Sequence, residues 1–400
     1  MANSLATSTL VAKEALAVLK NMLGFAGGVN RDFQDEFGAN QSRGYSPGQT
    51  INIKKPPRYT YRAGRVSVPQ STTETTIPLT LSQGGCDLGF SSLDMTLNVQ
   101  QLERKIQAAV AVVANEIDRQ GCDLARLASF NVLGTPGTLP STQALAMTAI
   151  TGMNQRLDEM AAPRDRQRSL VMNPAFNGAI VTGMSGMFNG QSKLTDQFSS
   201  GIMVDSLGLA YSMDQNVVTH TNGTQAVTGT AVAAGLSGAS IACVGLGGTI
   251  TKGSKVTFPG VFAVNPQSRT STGTLAQFTI TSDLAAAAVA LPISPAMVTS
   301  GAFQNVSGPT TAANFAIFGT ASGGYGCNVA YHRDAFTLAM VPFAAPMAAG
   351  GIEIGEASDQ GLSLKVTKYY DPINDYSGMR LDALFGWAAP YPELAVLYAT

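Results

Sequence analysis

Charge is what this sequence has least of. Of its 400 residues, 13% are Asp, Glu, Lys or Arg, about half the usual share of a soluble domain. Formal net charge is -1, so no global field draws in nucleic acid or an anionic membrane. His220 and His332 are the only two histidines. Neither has neighbouring cysteine or paired acids, which argues against a metal centre or a catalytic triad. The four cysteines, Cys86, Cys122, Cys243 and Cys327, are scattered, with no Cys-x-x-Cys pair. They read as small apolar core residues rather than a disulfide or metal framework. The longest apolar run, Leu284–Ile293, is about half the roughly 20 residues of a membrane-spanning helix. The N-terminal stretch carries Lys13, Glu14 and Lys20 among its apolar residues. It has no basic segment leading into a clean apolar one, so it does not read as a signal peptide.

Motifs for small-molecule chemistry are also lacking. Gly248-Thr249-Ile250-Thr251-Lys252-Gly253-Ser254-Lys255 has a superficial phosphate-loop look. That loop needs Gly-Lys-Ser/Thr entering a helix, whereas here Gly-Ser-Lys enters a strand, so a β-turn is the reading. Asp371, Asn374 and Asp375 lack the spacing and closing Glu of a calcium loop. Asn222-Gly223-Thr224 and Asn305-Val306-Ser307 match a glycosylation pattern that carries little meaning without export. No enzyme activity, cofactor or metal is expected.

What is present is apolar and glycine-rich: 45% hydrophobic residues and 42 glycines. A chain this poor in charge must hide much of its surface or precipitate, and burial against copies of itself is the simplest solution. Its length allows two or three domains.

Apolar residues at three- and four-residue spacing predict a helix over 5–23, ended by Gly24, Gly27 and Gly28. A short acidic piece, residues 31–37, follows, and the two together read as an extended arm. Over 50–82 the pattern alternates: Ile51, Ile53, Tyr59 and Tyr61, then Val66 and Val68, then Ile77, Leu79 and Leu81. This predicts a long hairpin turning at Ala63-Gly64, with Pro56-Pro57 demoting its first strand to an edge. Its first limb holds Lys54, Lys55, Arg58, Arg62 and Arg65 and no acid. A two-stranded hairpin is marginal alone in water, so it should lie on an acidic surface. Tyrosines among basic residues would also suit nucleic acid. The slightly acidic chain weighs against that, and subunit–subunit contact is preferred.

Residues 97–120 carry one apolar stripe (Leu102, Ile106, Ala109, Val110, Val113, Ile117) and predict the clearest helix, with Gly121 as its cap. A further helix is expected over 141–160, a buried strand at Ser169–Met172, and a helix starting at Asn173-Pro174. From Thr221 to Tyr331 only Lys252, Lys255, Arg269 and Asp283 are charged. Short alternating runs such as Lys255–Phe258 and Gln277–Ile280 lie between turn signals there. Residues 222–313 therefore read as an all-β domain inserted into an α/β host. Strands are expected near 362–370 and 379–387.

This order of parts resembles the major capsid proteins of tailed bacteriophages, whose shared fold is named for phage Hong Kong ninety-seven. Gly48-Gln49-Thr50-Ile51-Asn52-Ile53-Lys54-Lys55-Pro56-Pro57-Arg58-Tyr59 resembles the entry to that family's E-loop. Tyr331-His332-Arg333-Asp334-Ala335-Phe336, ending in Val341-Pro342, resembles its axial-domain strand. Tyr370-Asp371, Asp375, Arg380, Asp382, Leu384-Phe385-Gly386 and Pro392-Glu393 resemble its C-terminal pattern. The β insert points to the P-twenty-two-type coat proteins, although it carries less charge than that subgroup implies.

The resemblance implies an α+β fold in seven parts. Residues 1–49 form the N-terminal arm and the start of the peripheral domain, and 50–82 the E-loop hairpin. Residues 83–130 form the peripheral domain with its spine helix, and 131–221 the axial domain. The inserted barrel-like β domain is 222–313, followed by axial domain again over 314–351. Residues 352–400 hold peripheral strands and the axial C-terminus. It also implies pentamers and hexamers closing around double-stranded DNA in a phage head assembled in the host cytoplasm. A scaffolding protein, a portal and decoration proteins are the implied partners, with DNA touched only non-specifically and no membrane. The hairpin bases Lys54, Lys55, Arg58, Arg62 and Arg65 are expected to meet a neighbouring copy's Asp32, Asp35, Glu36, Asp371 or Asp375. Arg62-Ala63-Gly64-Arg65 puts no lysine at the hairpin tip, so covalent cross-linking is not expected. Rival readings are an encapsulin-type compartment and a bacterial surface β protein, the latter requiring export.

Overall fold

A computed structural model of the protein describes residues 8–33, 37, 48–67, 69–72, 74–91, 102–184, 207–232, 236–308, 314–343, 353–359, 362–371, 373 and 375–400. The chain forms two units. Both mix helix and strand, so the fold is α+β, as expected.

The first unit takes residues 1–53, 76–121 and 337–388. Helix α1 (Ser8–Met22) buries Ala12, Ala15, Leu16 and Leu19 against strands Glu353–Asp359 and Leu362–Asp371. These belong to a five-stranded antiparallel sheet centred on Tyr376–Ala388, which also pairs with Ser82–Ser91 and Thr337–Met340. The expected C-terminal strand pair is present as Leu362–Asp371 against Tyr376–Ala388.

Helix α2 (Leu102–Ala128) begins in this unit. It does not stop at Gly121 as the sequence suggested. A Cβ there would lie 2.6 Å from the Trp387 ring and 2.7 Å from the Phe25 ring. Glycine is required for that close approach and not as a cap. Three residues earlier, the buried Asp118 carboxylate accepts the backbone N–H groups of Gly24 (2.6 Å) and Ala26 (2.9 Å). It thereby satisfies donors left over past the end of α1.

The expected long hairpin is shorter than the alternation implied. Thr50–Lys55 pairs with Thr75–Thr80, and their inward residues Ile51, Ile53 and Leu79 are buried. Tyr59, Tyr61 and Val66 lie in a loop, not in strands. Pro56-Pro57 removes two successive ladder donors. Tyr61 and Val66 are 93% and 78% exposed, so no buried face rewards extended pairing. Val68 falls outside the described residues.

The second unit takes residues 54–75, 122–336 and 389–400. One sheet runs Asn131–Gly134, Ala395–Ala399, Gly324–His332, Arg168–Met172, Ala210–Met213. Its outer pairs are parallel and its inner pairs antiparallel. Helices α3 (Gln143–Glu159) and α4 (Pro174–Met184) share one core with this sheet: Ile150, Met153, Leu170, Met172, Phe176, Ile180 and Ala330. The α4 N-terminus follows Asn173, whose side-chain oxygen accepts the Phe176 N–H at 2.7 Å, the expected cap ahead of Pro174.

The other sheet is antiparallel and runs Thr228–Ala231, Asn314–Ile317, Lys255–Val264, Ser271–Ile280, Ala290–Met297, Gly238–Ala242. A single bridge between Val232 and Cys243 joins its two ends and closes it into a barrel. Val256, Phe258, Phe278, Leu291, Ile293 and Phe315 fill the interior. The barrel takes in Asn314–Ile317, just past the stretch 222–313 read from composition.

Candidate assembly surface and its supports

The segment that leaves the Thr50–Lys55 strand is basic and exposed. Because Pro56 and Pro57 forbid a ladder, side chains hold the loop together. Thr60 donates through N–H and hydroxyl to Gln70 Oε1 at 2.8 and 2.9 Å, and Gln70 Nε2 returns a bond to the Thr60 carbonyl at 2.7 Å. Tyr59 and Thr72 hydroxyls meet at 3.0 Å. At the tip, Arg62 donates to the carbonyls of Gly64 and Val66, and Gly64 has φ +95°, a conformation that suits glycine.

The base of the loop is seated on its own chain. Lys55 lies 5.5 Å above the Tyr391 ring, a cation–π contact. Arg58 pairs with Glu393 at 3.1 Å and sits 5.9 Å over Phe303. Arg269 donates to the Tyr59 carbonyl. Burial lowers the Lys55 pKa from its ordinary value. Glu393 opposes that shift and Arg58 adds to it. Arg58, Tyr59, Met160, Arg269, Tyr391 and Glu393 line an open cleft of about 340 Å³.

The five predicted bases therefore divide. Lys54 meets Glu74 at 3.1 Å, an exposed pair of small energetic weight. Lys55 and Arg58 are occupied by Tyr391 and Glu393. Arg62 and Arg65 stay exposed at the tip. Of the predicted acids, Asp35 and Glu36 fall outside the described residues. Asp32 is exposed, Asp371 accepts the Ile373 N–H at 2.9 Å, and Asp375 accepts the Tyr370 hydroxyl at 2.8 Å. Ile373 between them is 91% exposed. Sequence reading missed Glu74, Phe303 and Glu393 as partners within the chain. Glu393 follows Tyr391-Pro392, where proline opens a short 3-10 helix and sets both side chains beside the loop base.

A second feature, also missed, is the polar seam between the barrel and its host. In strand Lys255–Val264, Val256 and Phe258 point into the barrel, so Lys255 points out. It is nonetheless fully buried. Its ammonium donates to the Arg126 carbonyl (2.8 Å), the Ser129 carbonyl (2.5 Å) and Thr279 Oγ1 (2.9 Å). Two of these are carbonyls at the C-terminal end of α2, where a cation is favoured. Burial pushes the Lys255 pKa down to about 7.

Beside Lys255, Gln277 imitates a strand edge. Its Oε1 accepts the Val132 N–H at 2.7 Å and its Nε2 donates to the Val132 carbonyl at 2.9 Å. Farther along, buried Arg156 bonds Glu159 (2.9 Å), Thr274 and the Leu275 carbonyl (3.1 Å). The signal was a lone lysine in a charge-poor alternating run, on the face opposite the apolar residues.

Both histidines sit among polar partners. His332 Nδ1 accepts the Asp334 N–H at 3.3 Å and Nε2 donates to Asp165 at 3.1 Å. His220 Nδ1 lies 2.9 Å from Arg126 Nη1 and Nε2 is 3.2 Å from Ser254 Oγ. Cys122 and Cys327 are buried, Cys86 and Cys243 partly so.

A model of the P22 coat protein family, described as gene protein 5, matches residues 87–397. No curated protein sequence matches the chain. Among solved structures, that of Mycobacterium phage Che8 is 13% identical. It covers 94% of this chain and 90% of that one, with a TM-score of 0.49. The capsid of Ralstonia phage GP4 is 8% identical over 89% and 84%, with a TM-score of 0.46. The virus-like particle from Pyrococcus furiosus is 8% identical over 97% of both chains, with a TM-score of 0.42.

Proposed function

This chain belongs to the P22 coat protein family and is a major capsid protein that forms the head of a tailed phage, and we propose that its copies close as pentamers and hexamers around double-stranded DNA. The observation that carries this is the family match over residues 87–397. An encapsulin-type compartment is not favoured, because that match is to a phage coat protein. In this reading the subunit adopts the fold named for phage Hong Kong ninety-seven, catalyses nothing and is assembled in the host cytoplasm. A scaffolding protein and a portal assist, decoration proteins join from outside, and DNA is touched only non-specifically.

Residues 50–82 act as the E-loop, residues 83–130 and the strands Thr337–Met340 and those between 353 and 388 as the peripheral domain, 131–221 with the strands Gly324–His332 and Ala395–Ala399 as the axial domain, and 222 through Asn314–Ile317 as the insert. Since Lys54, Lys55 and Arg58 face acids or a ring of their own chain, whereas Arg62 bonds only backbone carbonyls and Arg65 is exposed, Arg62 and Arg65 are the bases proposed to meet a neighbour. Tyr61 and Val66 add apolar area beside them. Asp371 and Asp375, flanking exposed Ile373, offer the matching combination of acid and apolar surface. Asp32, Asp35 and Glu36 of the arm are the other acids proposed for this role.

Negative-stain microscopy of the purified chain, alone and with the products of adjacent genes, tests the reading. Closed shells of uniform size are expected. A protein that stays monomeric, or forms only open sheets and fibres, overturns it.

A further inference from the structure

His220 stands where the barrel, the end of α2 and the central strand of the host sheet converge. It is 2% exposed. From α2 it faces Arg126 and, behind that, Asp123, which accepts Arg126 Nε (2.9 Å) and Nη2 (2.6 Å). From the barrel it faces Ser254, with Lys255 next to it and the Lys252 carbonyl 3.4 Å from the same Arg126 nitrogen. From strand Gly324–His332 it faces Tyr325, ring to ring at 5.4 Å, and Cys327. Asn222 is on its own segment.

Arginine has donors only and stays charged. The 2.9 Å contact with Arg126 therefore requires a lone pair on Nδ1, and the proton sits on Nε2, aimed at Ser254. A second proton would set N–H against N–H. It would also place a third cation beside Arg126 and Lys255, with Asp123 as the one facing anion among the described residues. We infer that His220 is an acid-operated latch: protonating it opens the junction between the barrel and the last turn of α2 and leaves the barrel's own core closed. Burial first, then Arg126 and Lys255, holds the imidazole at about 4, well below its ordinary 6.5, which is the direction this geometry demands. Opening exposes the ring and restores its ordinary affinity, so each opened molecule captures a proton.

The Val132 amide donates to the barrel's Gln277, so its hydrogen exchange reports the junction. The amides of strands Lys255–Val264 and Ser271–Ile280 report the barrel. Exchange is followed on the full chain by mass spectrometry with site-resolving fragmentation, corrected for intrinsic rate. Opening at Val132 should rise about 20-fold between pH 7 and pH 5 while the barrel strands keep their protection. In His220→Gln, whose amide can accept from Arg126 and donate to Ser254 without titrating, the rise should fall to about twofold, the share left to Lys255. The idea fails if Val132 ignores pH, if the variant responds like the parent, or if the barrel strands open together with the junction.

Should that variant not fold, the wild type still decides. With two histidines in the chain, ring resonances are readily assigned. His220 must titrate below pH 5 and track Val132 exchange; an ordinary midpoint near 6.5 overturns the latch.

Discussion

The ammonium of Lys255 lies 2.8 Å from the carbonyl oxygen of Arg126, so a barrel strand closes the C-terminal end of a helix that begins in the other unit's sequence. Replacing Lys255 by Met keeps the volume but removes three hydrogen bonds from a dry site. The expected loss is about 2 kcal/mol, read as a lower urea midpoint with unchanged slope.

The same residue sets a pH dependence. Its pKa is about 7 in the folded chain against 10.5 ordinarily. Between those values the unfolded chain binds the extra proton, so stability rises with pH. From pH 7 to 9 the wild type should gain about 2 kcal/mol and Lys255→Met should gain none of it. A parallel response in both proteins would show that other groups titrate there.

Gly121→Ala should be costly for a helical glycine. Ordinarily alanine favours a helix, but here its methyl meets Trp387 and Phe25. Overpacking of about 1–3 kcal/mol is expected. Trp387 is the only tryptophan, so its emission should shift as the ring is displaced.

Reversal of the loop tip, Arg62→Glu with Arg65→Glu, should stop assembly and leave the monomer's circular dichroism and melting unchanged. Reversal of Arg58 should instead disturb the monomer locally, because Glu393 would face a like charge. Normal shells from the tip variant would remove these bases from the interface.

The barrel should fold alone only if its fragment includes Asn314–Ile317. That strand pairs with Val256 and Thr257 on one side and with Thr228–Ala231 on the other. A fragment ending at residue 313 leaves both edges open. Thermal scans of the two fragments should give a cooperative transition for the longer one and a broad or absent one for the shorter.

Closure of the shell should be non-covalent. Particles boiled in detergent without reductant should run as one band near 41.5 kDa. A ladder of higher species would mean cross-linking.

Much of the architecture was legible because period and composition changed with it. The apolar stripe from Leu102 to Ile117, the alternation of Lys255–Phe258 and Gln277–Ile280, and Asn173-Pro174 each became the element they signalled. The errors fell where tertiary contact decides. Gly121 carries the marks of a cap, and only the rings of Trp387 and Phe25, distant in sequence, explain it. Tyr59 and Tyr61 alternate like a strand but have no surface to lie on. The bases of the loop were visible, whereas their partners Glu393 and Phe303 lie hundreds of residues away. Nothing local to Lys255 or Gln277 says that a helix end will cover the one and the strand Asn131–Gly134 the other.

The lacing of the loop between Thr60 and Gln70 bears on geometry at a larger scale. A proposed shell of five- and sixfold rings asks one sequence to subtend two different angles. A backbone ladder would resist that demand, since slipping by one residue turns every side chain over. Side-chain ties of the kind made by Gln70, Thr72 and Arg62 can re-form after a small slide. The prolines that spoil the hairpin thus give this strap the play that identical subunits would need to meet at the proposed unequal corners.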